Sequence, residues 1–350
     1  LREFVEELKR LKIEVVRPCI NNCFAEFKAD ENKIFYGLGA IKSVGFVAVS
    51  NIIKERENNG PYLSLSDFIK RVDPKDVNKL QLEGLVKAGA FDKLEKNRKK
   101  IFSSIPKIIQ KIKNNYDDKV SNQSSLFENN DELISNDLEL EKTDFWTKKE
   151  LLSEEFLSLG FYISDHPLNE YKNFFSQINV MTYNDFFKAN TTEAQIAGTI
   201  MSIQEKKSSK GTPFAIVKFS DTSGEFEIFI FSEMLIANRE ILKESNSFIL
   251  TLHKERPIND SSTGRINVRK ISNLHELVNK SYEKVSIELT SDYNLQELKD
   301  TLIEEGKTQI NLIIKDKDKS FAFKLEKTRK FDFNLFNDIN SKKYVKKISF

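Results

Sequence analysis

A polar segment in the middle of the chain, residues 113–145, is the feature that most limits what this sequence can fold into. The segment is rich in Asn, Asp, Ser and Glu, and its first half is nearly devoid of aliphatic residues. Such a segment cannot bury enough apolar surface to offset the entropy lost on ordering, so it is predicted to be a flexible linker. The sequence therefore predicts folded modules of different kinds on its two sides.

The predicted linker carries one apolar pair, Leu126 and Phe127, with Gln123 three residues before the leucine. Two interpretations are open at this point. In the first, the pair packs back onto a neighbouring domain, since scattered apolar surface residues are common. In the second, the pair docks as a short peptide in an apolar pocket of a partner protein, with Gln123 forming hydrogen bonds at the rim.

Composition narrows the classes of protein to consider. A chain of 350 residues exceeds one typical domain, and a net charge of +2 means that any nucleic-acid site must be local. Two cysteines, Cys19 and Cys23, and three scattered histidines favour a reducing, cytoplasmic location and disfavour a structural zinc site. The sequence shows neither a membrane-spanning run nor a signal peptide. The chain opens on Leu1 inside a helical pattern, so we expect it to be the C-terminal piece of a longer chain.

Residues 38–56 have the pattern of a helical hairpin. A short helix over 38–42 is predicted to end at the tight turn Ser43–Gly45, and a second helix is predicted to start there. A glycine at this point lets the backbone approach a partner, and the free N–H groups of the new helix can face a phosphate. The alternative is an ordinary helical corner with a glycine cap.

A second copy of this pattern follows. Helices are predicted over 64–72 and 77–87, and the second ends at another apolar residue and glycine, again with a lysine just before. Paired hairpins can grip a duplex through its phosphates without reading bases. The residues expected to contact duplex DNA are Lys42, Ser43, Val44, Gly45, Lys87, Ala88 and Gly89.

Three stretches together resemble a known family. YGLGAIKSVG at 36–45, LVKAGAFDKL at 85–94 and QSSLF at 123–127 resemble the bacterial DNA polymerase III alpha subunits, the C-family replicative polymerases. The resemblance starts near the end of that family's fingers region and covers essentially the whole chain. It implies that the tandem hairpins bind duplex DNA behind the active site.

The resemblance also implies that Gln123, Leu126 and Phe127 bind the ring-shaped sliding clamp. In that family the catalytic aspartates lie in a palm domain, which holds Mg, and no part of this sequence matches them. We therefore predict no catalytic residue, no metal ligand and no cofactor within this chain.

Residues 193–277 read as five strands with a helix between the third and fourth, the pattern of an OB-fold β-barrel that binds oligonucleotides. Alternation places Phe214 and Lys218 on the outer face, beside a basic loop, which suits single-stranded DNA. Glu225 and Glu227 alternate onto the same face and would repel phosphates, so a structural or protein-binding barrel stays open as the alternative. The residues expected to contact DNA here are Lys206, Lys207, Lys210, Phe214 and Lys218.

The predicted fold class is multidomain α+β. The last segment reads as a strand, a helix and two strands, with no chemistry of its own, and the resemblance implies that it contacts the clamp-loader tau subunit. The predicted modules are the end of a fingers region (1–36), a tandem helix-hairpin-helix DNA-binding module (37–112), a flexible linker with a clamp-binding motif (113–145), a helical connector (146–192), an OB-fold nucleic-acid-binding domain (193–277) and a small C-terminal α+β domain (278–350).

Two functions are consistent with these features. The first is the DNA- and clamp-binding C-terminal part of a replicative polymerase, which supports processive, template-directed synthesis. The second is a stand-alone nucleic-acid-binding adaptor without enzymatic activity. They differ in what lies upstream of Leu1, because phosphoryl transfer needs carboxylates that hold two metal ions. We expect that this chain alone incorporates no nucleotides.

Overall fold

The computed structural model of the chain describes residues 4, 7, 8, 11–120, 138–255, 265–290, 292–316 and 319–350. The chain divides into two compact units, Leu1–His166 and Pro167–Phe350. Gln123, Leu126 and Phe127 lie outside the described residues. No helix in the described ranges is long and apolar enough to cross a membrane. Among those same residues, no group of three or more His, Cys, Asp or Glu side chains could hold a metal ion.

The first unit joins a small sheet to a set of helices. The sheet has the order β1-β3-β2, with β1 parallel and β2 antiparallel to the central strand. Short 3-10 helices over Leu38–Ala40 and Pro74–Asp76 precede α1 and α3. The bounds are β1 (Glu14–Val16), β2 (Lys28–Asp30), β3 (Lys33–Phe35), α1 (Phe46–Asn59), α2 (Leu65–Arg71), α3 (Lys79–Lys87), α4 (Arg98–Val120) and α5 (Lys148–Leu159).

The helix boundaries of this unit follow from short-range capping. The Ser64 and Asn78 side chains accept hydrogen bonds from backbone N–H groups in the first turns of α2 and α3. Thr147 and Glu150 form a capping box at the start of α5, and Gly160 ends that helix in the left-handed conformation. Such caps satisfy backbone groups that a helix end leaves free, which is why the predicted helix positions agree with the observed ones.

Both ends of the segment predicted as a linker over 113–145 have defined contacts in the structure. Its first residues continue α4 to Val120, past Pro106 inside the helix. Its last residues lie against the same helix, because the Glu141 N–H donates to Ser104 Oγ at 2.8 Å. The Thr143 carbonyl likewise accepts from Asn97 Nδ2 at 2.9 Å. Residues 138–145 are therefore part of the first unit.

The second unit contains two sheets. The larger is built from β4 to β9 and the smaller from β10 to β13. A 3-10 helix over Pro167–Tyr171 opens the unit. The bounds are α6 (Lys172–Gln177), β4 (Val180–Met181), α7 (Tyr183–Lys188), β5 (Glu193–Lys207), β6 (Pro213–Asp221), β7 (Gly224–Phe231), α8 (Ser232–Asn238), β8 (Ser247–Lys254), β9 (Ile266–Asn273), α9 (Leu274–Val278), β10 (Lys284–Leu289), α10 (Leu295–Thr301), β11 (Glu305–Asp316), β12 (Lys319–Lys324), α11 (Phe333–Ser341) and β13 (Val345–Ser349).

The larger sheet has the order β7-β6-β5-β8-β9, with β4 pairing parallel to β5. The five strands predicted over 193–277 and the helix between the third and fourth are confirmed. The predicted β-barrel does not close, because no hydrogen-bond ladder joins β7 to β9 among the described residues. These strands meet through side chains instead, with the Arg265 guanidinium 5.5 Å from the centre of the Phe231 ring.

The smaller sheet has the order β12-β11-β10-β13, and β10 runs parallel to β11. Its buried face carries Val285, Ile287 and Leu289 of β10, which share one hydrophobic core with Phe336 and Ile339 of α11. The predicted strand, helix and two strands are confirmed. Helix α11 and strand β13 complete the fold and were absent from that prediction.

Candidate nucleic-acid interface

The first helical hairpin presents a helix N-terminus to solvent. Gly45 precedes the 14-residue α1 in an extended conformation, and no side chain caps the helix there. Lys42, Ser43 and Gly45 are exposed, whereas Val44 is buried and anchors the turn. The first-turn N–H groups of α1 thus follow an exposed lysine three residues before Gly45, a combination that suits a phosphate.

Gly45 also leaves room for a partner to approach. A Cβ atom built on it would have only Ala48 Cβ nearby, at 4.0 Å, and its φ of −73° is one that any residue adopts. An added methyl group would therefore cost the fold little and would occupy space that is open in the structure. The fold therefore does not require a glycine at position 45, so a substitution there can test ligand binding without disturbing folding.

Two neighbouring helices hold the hairpin in place. The Lys42 N–H donates to the Ser158 carbonyl oxygen of α5 at 3.0 Å. Beneath it, a Cβ on Gly84 of α3 would lie 2.7 Å from the Lys42 carbonyl oxygen and 3.2 Å from Val44 Cγ2. The connector helix α5 is thus part of the support of this hairpin.

The sequence repeat at Ala88–Gly89 does not form an equivalent site. Gly89 ends α3 with φ 81°, and the Ala90 N–H donates to the Leu85 carbonyl oxygen at 2.9 Å, a Schellman closure. Val44–Gly45 opens a helix, whereas Ala88–Gly89 closes one and is buried. A helix C-terminus carries the negative end of the helix dipole and disfavours a phosphate.

Lys87 is also engaged within the unit. Its ammonium lies 3.0 Å from the Glu154 carboxylate and 5.2 Å from the centre of the Phe102 ring. The structure therefore does not bring Lys87, Ala88 and Gly89 to a surface that resembles the first hairpin.

The actual second hairpin lies between α2 and α3. It turns through Asp73 and Asp76, and Lys75 is paired with Asp73 at 3.0 Å. Asp76 accepts a hydrogen bond from Asn51 Nδ2 at 2.8 Å, and Asn78 caps α3. The two carboxylates in this turn would repel a phosphate. The first hairpin can therefore bind a phosphate, whereas the second hairpin cannot.

The outer face of β6 and β7 is the second candidate surface. Ala215, Val217 and Phe219 are completely buried, whereas Phe214 and Lys218 are partly exposed. This confirms the assignment of faces made from the alternating pattern. The outer face is therefore available to a ligand.

Aromatic rings gather at one end of this face. The Phe214 and Phe229 rings are stacked with centroids 6.4 Å apart, and Phe231 lies opposite Phe214 in the ladder. Phe229 and Phe231 are 44% and 46% exposed. Phe231 and Arg265 also lie at this end of the face and were absent from the predicted set of DNA contacts. The period-two alternation of β7 is the signal that places Phe231 beside Phe229.

Basic and acidic side chains lie at different ends of the outer face of β6 and β7. Lys206 is exposed and lies opposite Phe214 in the ladder, and Lys207 and Lys210 are exposed in and beside the adjoining turn. Glu227 lies opposite Lys218, so a lysine faces it across the ladder. The acidic end of the face is thus separate from the end that carries the aromatic rings and Lys206.

Comparisons with known proteins place the chain in context. A helix-hairpin-helix motif family matches residues 12–101. The chain is 37% identical over 257 residues to DNA polymerase III subunit alpha of Borreliella burgdorferi, which covers 70% of this chain and 22% of that protein. It is 31% identical over 366 residues to DNA polymerase III subunit alpha of Helicobacter pylori, which covers 91% of this chain and 30% of that protein. This chain is a homologue of the DNA polymerase III alpha subunit.

The resemblance expected from the sequence is therefore confirmed. The chain spans less than a third of the length of these relatives. The helix-hairpin-helix match includes the first hairpin with Lys42 and Gly45 and also the α2–α3 hairpin. Contacts of individual residues with DNA, and the clamp motif, stay predictions.

Proposed function

We propose that this chain is the DNA- and sliding-clamp-binding part of a replicative DNA polymerase, and that it holds the enzyme on its template instead of catalysing nucleotide transfer. The observation that carries the proposal is the exposed, uncapped N-terminus of α1 at Gly45, with Lys42 beside it, inside a helix-hairpin-helix match. Backbone N–H groups and a lysine bind phosphate without reading bases. Binding at this hairpin is therefore independent of DNA sequence.

The larger sheet adds a surface for single-stranded DNA. Its strand order, with α8 between β7 and β8, supports the proposal of a partly open five-stranded OB-fold, a fold whose second and third strands bind oligonucleotides. Those strands here are β6 and β7, and they carry Phe214, Phe229 and Phe231 beside Lys206. Bases stack on exposed aromatic rings, so this face would hold the unpaired template strand.

Two protein partners belong to the proposal. Gln123, Leu126 and Phe127 form the segment that would bind the sliding clamp, and the support is their sequence pattern alone. The C-terminal sheet would contact the clamp-loader tau subunit. Metal-dependent transfer of nucleotides would reside in a palm region, and we assign no residue of this chain to it.

Duplex binding tests the proposal directly. Affinity of the 350-residue protein for a fluorescent duplex is measured by anisotropy over a range of salt concentrations. Each phosphate contact contributes about 0.9 to the slope of log affinity against log salt. We expect Lys42→Gln to reduce that slope by about this amount and Lys87→Gln, the matched control, to leave it unchanged, because Lys87 is already paired with Glu154.

The Gly45→Ala variant tests duplex binding at the first hairpin in a second, independent way. The added methyl group meets no atom of the protein closer than 4.0 Å, so the melting temperature should stay the same. It adds bulk at the residue where a phosphate would approach the α1 N-terminus, so duplex affinity should fall. Wild-type affinity in both Gly45→Ala and Lys42→Gln would show that the hairpin is only a scaffold.

A further inference from the structure

The first turn of α1 carries two exposed apolar side chains. Phe46 and Val47 are the first two residues of the helix, and they are 49% and 72% exposed. Val49, two residues further on, is completely buried and holds the helix on the core. A Cβ atom built on Gly39 would lie 2.9 Å from Phe46 Cδ2, so the Phe46 ring lies over the backbone at Gly39. We call Phe46 and Val47 the apolar turn.

Helix stability does not account for the apolar turn. Acidic residues stabilise a helix N-terminus through the helix dipole, and valine and phenylalanine have only modest helix propensity. The structure describes the whole of α1, and its first turn contains no acidic residue. An acidic residue would repel a phosphate, so a phosphate site accounts for this absence. A serine or a lysine would suit a phosphate better than an apolar residue, so the apolar turn points to an apolar part of the ligand.

The sugar of a nucleic acid supplies such an apolar part. A phosphate bound to the first-turn N–H groups of α1 is joined through its ester oxygens to two sugars, so a sugar lies beside the same turn. Deoxyribose lacks the 2′-hydroxyl group that distinguishes RNA from DNA. An apolar side chain can therefore cover deoxyribose without burying that hydroxyl. Ribose in the same place would lose the hydrogen bonds of its 2′-hydroxyl to water, which is unfavourable.

We propose that Phe46 and Val47 cover a deoxyribose next to the phosphate bound at the α1 N-terminus, and that this contact selects DNA over RNA. The inference rests on the proposed function, because it needs a duplex phosphate at this hairpin. The backbone N–H groups and Lys42 provide affinity for phosphate, which DNA and RNA share. The apolar turn provides the preference between the two sugars.

Val47→Ser tests the contact itself. Affinity of the 350-residue protein for a fluorescent DNA duplex is measured by anisotropy over a range of salt concentrations. We expect a loss of about three- to tenfold at every salt concentration and an unchanged slope, because an apolar contact releases no counterions. Leu80→Ser is the matched control and should bind like wild type, since Leu80 holds the same second position in α3 and is 63% exposed.

Val47→Thr tests the choice of sugar. Threonine keeps the branched shape of valine, and its hydroxyl group can form a hydrogen bond with a 2′-hydroxyl. The affinities for a DNA duplex and for an RNA duplex of the same sequence are measured with both proteins. The different helix geometry of RNA affects both proteins alike, so the change in the ratio of affinities reports on the side chain. We expect the preference for DNA to fall by about threefold or more in the variant.

Several results would overturn this inference. They are wild-type DNA affinity in Val47→Ser, an equal loss in Leu80→Ser, and an unchanged DNA-to-RNA ratio in Val47→Thr. A lower melting temperature or a changed salt slope in Val47→Ser would also overturn it, by showing that Val47 supports the hairpin instead of touching the ligand. Losses in Lys42→Gln and Gly45→Ala without a loss in Val47→Ser would reject the sugar contact alone, whereas wild-type binding in all three would reject the proposed hairpin site as well.

Discussion

Glu155 of α5 lies completely buried and links the connector to the hairpin module. Its Oε1 atom accepts hydrogen bonds from the backbone N–H groups of Ile163 and Ser164, at 2.8 and 2.9 Å. Its Oε2 atom lies 3.9 Å from Arg98 Nη1, and Arg98 is itself buried and bonded to Asp92. Replacing Glu155 by alanine removes one carboxylate of this cluster and the acceptor for two backbone donors.

The expected magnitude follows from these contacts. A polar group left without a partner costs about 1–3 kcal/mol, and breaking a buried ion pair costs about 3–5 kcal/mol. The two costs overlap, so we expect Glu155→Ala to lower the free energy of unfolding of the first unit by about 3–5 kcal/mol. The neighbouring Glu154 makes a partly exposed ion pair with Lys87, so Glu154→Ala should cost about 1 kcal/mol or less.

Trp146 makes the measurement specific to this unit. It is the only tryptophan of the chain, and its ring lies 5.6 Å from that of Phe102 in α4. Its fluorescence during a urea titration therefore follows unfolding of the first unit, and the midpoint and slope give the free energy. Equal losses in the Glu154 and Glu155 variants would refute the assignment of Glu155 as the buried link.

Three further predictions address other parts of the chain. Leu126→Ala combined with Phe127→Ala should lower sliding-clamp affinity more than tenfold by calorimetry, without a shift in melting; a melting shift with unchanged clamp affinity would mean that the pair packs on its own chain. Phe214→Ala should weaken single-stranded oligonucleotide binding by about 1–3 kcal/mol in a titration, with Phe187→Ala, at an exposed site on α7, as the control; equal effects would remove the stacking face. Burial raises the pKa of the Cys23 thiol from 9.0 to about 11, which favours the protonated thiol in the folded state. Its contribution to stability is therefore complete below about pH 9 and is lost as pH rises through about 11. Comparison of Cys23→Ala with wild type over that range should show a smaller fall in the variant, and rapid alkylation of native Cys23 at pH 9 would contradict the shift.

Much of the local structure could be predicted from the sequence. The strands β5, β6 and β7 were predicted because their side chains alternate between core and solvent, a period that is written into consecutive residues. Helix starts at Ser64 and Asn78 follow from side chains that bond within their own first turn. The start of α1 after Gly45 was predicted from the tight turn Ser43–Gly45 and the helical pattern that follows it, without a capping side chain.

Other features depend on residues far apart in the sequence. Val44–Gly45 and Ala88–Gly89 look alike as dipeptides, yet one opens a helix and the other closes one. Helix α11 is defined by Phe336 and Ile339, which pack against strands of the smaller sheet, so its burial is not visible in its own short stretch.

The sequence by itself determined the family resemblance and the faces of the strands, because these depend on local periodicity and on short motifs. The tertiary structure alone decided which residues are free to bind a ligand. Lys42 and Lys87 have the same side chain and similar neighbours along the chain, but only Lys87 meets a carboxylate, that of Glu154 on α5. An ion pair depends on which elements the fold brings together, and the spacing of residues along the chain does not encode it.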